Sequence, residues 1–476
     1  MIIDKTRLGL APASLLLALL LTIAVPAIFA QSVDMPLTGS KEAVALFKLG
    51  REKAENLEDS GTLFDQAIQK DPTFAFAYLS AGQTNLEFQK NLDMAVSLAD
   101  KASPGEREWI LGARDQNTGD TAGQLAHLQQ LVKLFPGDKR AHTQLGFYYR
   151  GVGDEPTALM HFNQAAKIDK NYAPVFNNIG YSNMALAKYA DAEAAFKTYI
   201  KLIPNNPNPY DSYAEMLMTT GKYDDSIKQY NMALAKDPTF IASYRGMGNN
   251  YGYKGDYDKS RETYALMFSK ATNDGNRDQA LLSTMNSWLA QGKYTEALEV
   301  NAKRIAAAGD AQTRMGLYNL AGFINVEANN LDAALVQFEM ASKLQDDPSL
   351  APGLKGNREF NQRVARTRYL AMRDDFAGAQ TELDLATGRN VNQQRAFNQV
   401  SGILALRQKN YAKASEFFAK ANPADPYVWY YQAVALEGAG DTKGAMTLYQ
   451  RIADLNQLDA TGYAIVRPRA MAKLKK

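Results

Sequence analysis

Small residues set within apolar stretches recur along the chain at a fixed step of 34 residues. The main series is Gly112, Gly146, Gly180, Ala214 and Gly248. Two further series share the step or a multiple of it: Ala158, Ala192, Ser226 and Ser260, and then Pro136, Pro204 and Pro238. Three series in one phase indicate an array of repeated units, since a fixed period of this length is typical of repeat proteins.

Each period predicts two amphipathic helices. A small residue such as Gly146 falls inside the first helix, where glycine costs about 1 kcal/mol relative to alanine unless a neighbour packs closely. A turn such as Gly221 to Asp224 follows, with glycine ending one helix and an acidic residue opening the next. The second helix carries one apolar stripe, and a proline such as Pro204 ends it.

This pattern resembles the tetratricopeptide repeat family. The residues that carry the resemblance are the first-helix glycines, the turn residues Tyr223 and Tyr257, the second-helix residues Ala158 and Ala192, and the closing prolines Pro204 and Pro238. The resemblance implies an all-α fold: an α-solenoid of about a dozen helix–turn–helix repeats, coiled into a right-handed superhelix. It also implies a concave inner surface that binds a partner.

The regularity of the step divides the chain into predicted segments. These are a signal peptide at 1–30, a linker at 31–40, degenerate repeats at 41–104, a regular array at 105–274, repeats with longer spacing at 275–348, a hinge loop at 349–357, C-terminal repeats at 358–457 and a capping helix at 458–476. Five basic side chains of the last segment are expected on a solvated outer face: Arg467, Arg469, Lys473, Lys475 and Lys476.

The N-terminal residues have the pattern of a secretory signal. Lys5 and Arg7 precede a solid apolar core, and small residues favour cleavage after Ala30, with Ala27 as a second option. A periplasmic or secreted location is the prediction, and the absence of cysteine suits an oxidising compartment. The alternative is an uncleaved membrane anchor, because residues 8–30 carry no charge.

Composition argues against nucleic-acid binding and catalysis. The chain has a net charge of +2, without the cationic excess that a phosphate-binding face needs. His142 occupies a position that is aromatic in other units, which predicts packing. His127 and His161 lie one period apart, but a zinc site requires three or four ligands. No cofactor, no metal and no enzymatic activity are predicted.

The first helices are expected to line the groove in which an unidentified protein or peptide binds. The candidate residues are Arg140, Phe147, Arg150, Asn177, Tyr181, Met184, Asp211, Glu215, Met218, Arg245, Asn249 and Tyr253. Arg245 and Asn249 resemble one step of the carboxylate clamp of some family members, although Asp211 and Glu215 in the preceding unit disfavour a carboxylate ligand. The main hypothesis is therefore an exported, non-enzymatic scaffold, and the alternative is a membrane-tethered assembly factor that retains residues 1–30.

Overall fold

A computed structural model describes residues 34–81, 85–351, 353, 355–387, 390–456 and 459–475, so the predicted signal peptide lies outside the described residues. The described residues form 25 α-helices, one short 3-10 helix (Ala99–Lys101) and no strand. The α-helices are α1 (Lys41–Glu55), α2 (Leu63–Lys70), α3 (Ala75–Tyr78), α4 (Asn85–Leu98), α5 (Pro104–Thr118), α6 (Thr121–Leu134), α7 (Lys139–Gly151), α8 (Glu155–Ile168), α9 (Ala173–Ala185), α10 (Tyr189–Leu202), α11 (Asn208–Thr219), α12 (Tyr223–Lys236), α13 (Ile241–Tyr253), α14 (Tyr257–Lys270), α15 (Asp274–Ala290), α16 (Tyr294–Ala307), α17 (Ala311–Glu327), α18 (Leu331–Lys343), α19 (Lys355–Met372), α20 (Phe376–Leu385), α21 (Val391–Arg407), α22 (Tyr411–Ala419), α23 (Pro426–Gly438), α24 (Thr442–Asp454) and α25 (Thr461–Leu474).

Consecutive helices pack in pairs, from α1 with α2 to α23 with α24, and α25 follows the last pair. The twelve pairs confirm the predicted α-solenoid of about a dozen repeats. In six of the pairs, a first-helix glycine contacts an aromatic ring of the second helix. A Cβ atom added to Gly146 would lie 2.6 Å from the Phe162 ring, and one added to Gly180 would lie 2.5 Å from the Phe196 ring. The glycines that repeat every 34 residues therefore lie where the two helices of a pair approach closely.

The turn inside each regular unit has a left-handed residue at a fixed place. Positive φ values occur at Gly119, Gly153, Ala187, Gly221 and Gly255, again 34 residues apart. Glycine adopts this conformation without steric cost, whereas a Cβ atom makes it unfavourable. Ala187 is thus the strained member of the series.

Two segments that the sequence predicts to be irregular are held by specific contacts. In the predicted linker, the backbone N–H of Met35 donates to Asp138 (2.6 Å) and the Thr38 hydroxyl donates to Glu106 (2.7 Å). In the predicted hinge loop, Leu350 is buried and α19 already begins at Lys355. Bending at this loop stays a prediction.

The N-terminal repeats curl until the first unit touches the fourth and the loop after α10. The Arg140 guanidinium of α7 donates two hydrogen bonds to Glu55 at the end of α1, at 2.6 and 3.0 Å. The Asn206 side chain donates to the carbonyl of Asn56 (2.8 Å), across 150 residues of sequence. These contacts enclose a space between the first helices.

The C-terminal repeats also curl, but the space that they enclose is filled by the chain itself. Helix α25 packs against α23 and α24 and also against α15. Its side chains Tyr463, Ile465 and Val466 are no more than 1% exposed, as is expected of core residues. Among the described residues, no helix has the length and apolar character needed to cross a membrane.

Candidate functional site

A cavity of about 560 Å³ lies inside the N-terminal repeats. The first helices of five consecutive units, α1, α3, α5, α7 and α9, contribute to its wall. Its apolar part is aromatic and contains Phe47, Phe64, Phe76, Trp109 and Phe147. Four of these rings pack together, since the centroid of Phe47 lies 5.7 Å from that of Phe64 and 5.4 Å from that of Phe76, and the Phe76 and Trp109 centroids are 5.0 Å apart.

The polar side of the cavity is built around Arg140. Besides its two hydrogen bonds to Glu55, its guanidinium lies 3.4 Å from Asp34 and 5.5 Å from the ring centroid of Tyr172. A two-bond arginine–carboxylate pair fixes both partners in orientation as well as in position. Arg140 therefore holds α1 and α7 together across the cavity.

Arg51 lies on the same wall without such a partner. Among the described residues, no carboxylate oxygen lies within 4.0 Å of its guanidinium, and its Nε atom is buried without a hydrogen bond. The guanidinium lies 5.3 Å from the ring centroid of Phe47. Burial, together with the positive charge of Arg140, lowers the pKa of Arg51.

Three of the twelve predicted groove residues line this cavity: Arg140, Phe147 and Asn177. Phe147 is 41% exposed, and its ring packs edge-on against Phe162 at 5.5 Å. Asn177 lies 34 residues after Thr143, another residue of the wall, and is on the first helix of the next unit. The structure therefore supports an open inner surface only for the N-terminal end of the predicted groove.

Five predicted groove residues contact neighbouring repeats through hydrogen bonds or apolar packing. Arg150 donates to the side chain of Asn178 (3.1 Å) and to Ser182 (2.9 Å), and the Tyr181 hydroxyl donates to Glu215. Met184 packs in a cluster with Phe196 and Met216.

Asp211 accepts a hydrogen bond from Ser243 (2.6 Å). Burial, helped by the nearby Glu215 carboxylate, raises the pKa of Asp211 to about 7. These contacts link α7, α9, α11 and α13 to one another.

The remaining four predicted groove residues are covered by the C-terminal segment. Met218 and Tyr253 are each 8% exposed, and the Met218 carbonyl accepts a hydrogen bond from Asn456 (3.0 Å). The Asn249 side chain donates to the carboxylate of Asp459 (3.1 Å), and Arg245 lies 3.9 Å from the same carboxylate. The Arg245–Asn249 pair therefore binds a carboxylate, but this carboxylate is that of Asp459 in the same chain.

The prediction that the basic residues of the last helix are solvated is wrong for Arg467 and Arg469. Arg467 lies over the ring of Tyr253, at 5.4 Å from its centroid. Arg469 forms an ion pair with Glu327 (2.7 Å), whose side chain is 3% exposed. The curvature of the stack brings α17 opposite α25, so these side chains point inward.

Sequence reasoning missed most of the aromatic wall. Trp109 lies 34 residues before Thr143, and Thr143 lies 34 residues before the predicted groove residue Asn177. Two steps of 34 residues back from Asn177 therefore lead to Trp109, so the repeat period could have identified this residue. Phe47 and Arg51 belong to the first unit, which lies outside the regular phase, and no periodic signal marks them.

The three histidines form two separate contacts on the described chain. His142 is buried, as its position among aromatic residues predicts, and its Nδ1 lies 3.2 Å from Nδ1 of His161. His127 instead pairs with Glu108 at 2.7 Å. His127 and His161, one period apart, thus have different partners.

Comparison with known proteins identifies the repeats. The tetratricopeptide repeat model matches residues 177–241 and 400–460, which lie in α9–α13 and in the segment from α21 to the loop after α24. No curated protein matches the chain.

Several solved structures overlap parts of the chain. A tetratricopeptide repeat protein from Parabacteroides merdae is 15% identical, covers 54% of this chain and 98% of its own, and has a TM-score of 0.39. The MamA protein is 20% identical, covers 35% of this chain and 91% of its own, and has a TM-score of 0.31. YrrB, a tetratricopeptide repeat protein with an unusual peptide-binding site, is 16% identical, covers 46% of this chain and 96% of its own, and has a TM-score of 0.29.

At these identities and TM-scores, the overlaps carry no argument about function. The assignment rests on the two matched segments and on twelve helix pairs, six of which place an aromatic ring of the second helix against a first-helix glycine. The chain therefore contains tetratricopeptide repeats.

Proposed function

We propose that this protein is a non-enzymatic scaffold that binds a protein or peptide partner in the cavity of its N-terminal repeats. Repeats of this family generally bind such partners. The observation that carries the proposal is the contrast between the two halves. The N-terminal cavity of about 560 Å³ is unfilled by the described chain, whereas Asn456, Asp459 and α25 fill the corresponding C-terminal space.

The lining of the cavity suits recognition of a side chain. Ligand pockets commonly enclose about 300–1,000 Å³ and combine apolar walls with a few polar groups. Aromatic residues and arginine are also the residues that contribute most to binding at protein interfaces. Phe147 and Leu57 are exposed at 41% and 62%, so a partner can reach the apolar wall.

The test is a selection from displayed random peptides, followed by measurement of the affinities of the enriched sequences. The expected result is that binding to the wild type falls at least tenfold in Phe147→Glu, because the new carboxylate enters the apolar part of the cavity. Phe88→Glu is the matched control, since Phe88 is 40% exposed on α4 and lies outside the cavity. Failure to enrich any peptide, or equal affinities for the two variants, would refute the proposal.

The proposal includes export, with cleavage after Ala30. The basic start, the apolar core and the absence of cysteine support it. Cleavage there would also leave intact the hydrogen bonds of Met35 and Thr38. The alternative is a membrane-tethered assembly factor that retains residues 1–30.

Fractionation and N-terminal sequencing of the full-length chain expressed in a bacterial host distinguish the two. A soluble mature chain that begins at Gln31 supports export and rules out the tether. A membrane-bound chain that retains Met1 or Ile2 supports the tether instead.

A further inference from the structure

The cavity of the N-terminal repeats continues into a second, more polar space. This second space has a volume of about 400 Å³, and Asp34, Lys48, Lys139 and Asp169 are among the residues around it. The two spaces share one wall: Arg51, Glu55, Arg140, Tyr172 and Pro174. A ligand that crosses this wall would therefore have an apolar end on one side and a polar end on the other.

Arg51 is the one charged residue of the shared wall without an ion pair among the described residues. Arg140 pairs with Glu55 on the wall and with Asp34 beside it, and in the second space Asp169 pairs with Lys139 at 2.5 Å. The Nε of Arg51 is unbonded, and its guanidinium lies against Phe47. A guanidinium that is partly withdrawn from water is stabilised when an anion with matching geometry pairs with it.

The surroundings of Arg51 also restrict the anion. Glu55 and Asp34 lie on or beside the same wall, so a doubly charged group such as a phosphate monoester would be repelled more strongly than a single negative charge. A carboxylate has one negative charge and two oxygens that match the guanidinium fork. The adjacent rings of Phe47 and Phe76 suit an apolar group attached nearby.

We propose that the ligand presents a carboxylate next to a large apolar group, an inference that rests on the proposed function. The carboxylate pairs with Arg51, and the apolar group enters the space lined by Phe47, Phe76 and Trp109. Three sources share this chemistry: an acidic side chain next to an aromatic residue in a peptide, a peptide that ends in an aromatic residue, and a free aryl-alkanoic acid.

The experiment compares matched probes on the whole mature chain. The probes are a blocked peptide with Glu-Phe at its centre and its Gln-Phe analogue, a peptide that ends in Phe as the carboxylate and as the amide, and 3-phenylpropanoate and its amide. Titration calorimetry measures each affinity. For at least one pair, the charged member is expected to bind about tenfold or more tightly than the neutral one, which corresponds to one charge-assisted hydrogen-bonded contact.

Variants of α1 connect that preference to Arg51. Arg51→Gln should abolish the difference between charged and neutral probes, and Arg51→Lys should keep part of it because the positive charge remains. Lys41→Gln is the control, since it removes a positive charge from the exposed start of the same helix, outside both spaces. Circular dichroism of each variant shows whether the helices are retained, and the Arg51→Lys result keeps the test decisive if Arg51→Gln does not fold.

The outcomes separate this inference from the proposed function. Equal affinity for the charged and neutral members of every pair, or an unchanged preference in both Arg51 variants, would overturn the inference. Peptides from the displayed library could then still bind in a Phe147-dependent way, and the scaffold function would stand. Binding of 3-phenylpropanoate without binding of any peptide would support the carboxylate site and overturn the peptide-binding function.

Discussion

Five units place a ring at the same point near the start of the first helix, and in each the ring donates a hydrogen bond to the carbonyl of a proline six residues earlier. The donors are Tyr78, His142, Tyr210, Tyr244 and Trp429, at 2.9–3.2 Å from the proline oxygens. In His142 the Nε2 nitrogen carries the donated hydrogen, so Nδ1 accepts from His161. This arrangement requires His142 to be neutral, because its Nδ1 accepts the hydrogen bond that Nδ1–H of His161 donates.

The histidine pair makes the fold sensitive to acid. Burial lowers the pKa of His142, and burial together with repulsion from His142 lowers the pKa of His161. The unfolded chain, with histidine pKa values near 6.5, takes up more protons as the pH falls, so the free energy of unfolding falls below about pH 6.5. The raised pKa of Asp211 has the opposite effect on stability. Protonation of that carboxyl in the folded state increases the free energy of unfolding as the pH falls through about 7.

The first prediction isolates the histidine contribution. His142→Tyr should keep the hydrogen bond to Pro136, as Tyr210 does to Pro204, while it removes one titrating group. The urea midpoint should therefore fall less between pH 7.5 and 5.5 in the variant than in the wild type. Because Asp211 is present in both proteins, its contribution cancels in the comparison. Equal falls would show that the pair does not titrate as described.

The second prediction concerns the left-handed turn at Ala187. Glycine occupies this place in the neighbouring units, so Ala187→Gly should stabilise the chain by about 1 kcal/mol by relieving the strain of a positive φ. Ala194→Gly, at an exposed position inside α10, should instead destabilise it by about 1 kcal/mol. Urea denaturation of the two variants measures both effects, and destabilisation by Ala187→Gly would contradict the prediction.

At the element scale, α25 is bound to the interior through Glu327. This carboxylate accepts hydrogen bonds from Arg469 (2.7 Å), from Tyr431 (3.2 Å) and from Tyr427. It is nearly inaccessible to water, with 3% of its side chain exposed. Removal of one partner from a buried pair costs more than the pair itself contributes, because the other charge is left unpaired.

The third prediction follows from the cost of leaving the Glu327 carboxylate buried without its cationic partner. Arg469→Gln should lower the free energy of unfolding by about 2 kcal/mol, a value reduced from that of a fully buried pair because Arg469 is 28% exposed. The double variant Arg469→Gln with Glu327→Gln should recover part of this loss. Lys475→Gln, on an exposed side chain of the same tail, should change stability by less than about 0.5 kcal/mol. Equal losses in the single and double variants would show that the charge pair is not responsible.

The helices could be predicted from the sequence because their signals are local. Gly146 and Phe162 lie sixteen residues apart, and a repeated pair of this kind indicates both helices and their contact. Contacts between distant units could not be predicted in this way. The Asp459–Asn249 and Glu55–Arg140 contacts depend on the small rotation at each repeat, summed over several units, and no single unit encodes that sum.

At the scale of the whole molecule, the same repeat produces two different interiors. The N-terminal units close around a cavity with aromatic walls, and the C-terminal units close around the chain's own α25. The predicted groove is therefore continuous in sequence, but its residues have different structural surroundings. Its first residues face the cavity, its middle residues bond to neighbouring repeats, and its last residues hold the C-terminal segment.

Hydrogen exchange of the mature chain, with and without a saturating peptide from the displayed library, tests this division most directly. Slower exchange on binding is expected in α1, α7 and α9, which contribute to the cavity wall, and unchanged exchange is expected in α13 and α15. Protection concentrated in α13 and α15 would mean that the partner displaces the C-terminal segment, and it would contradict a binding site in the N-terminal repeats.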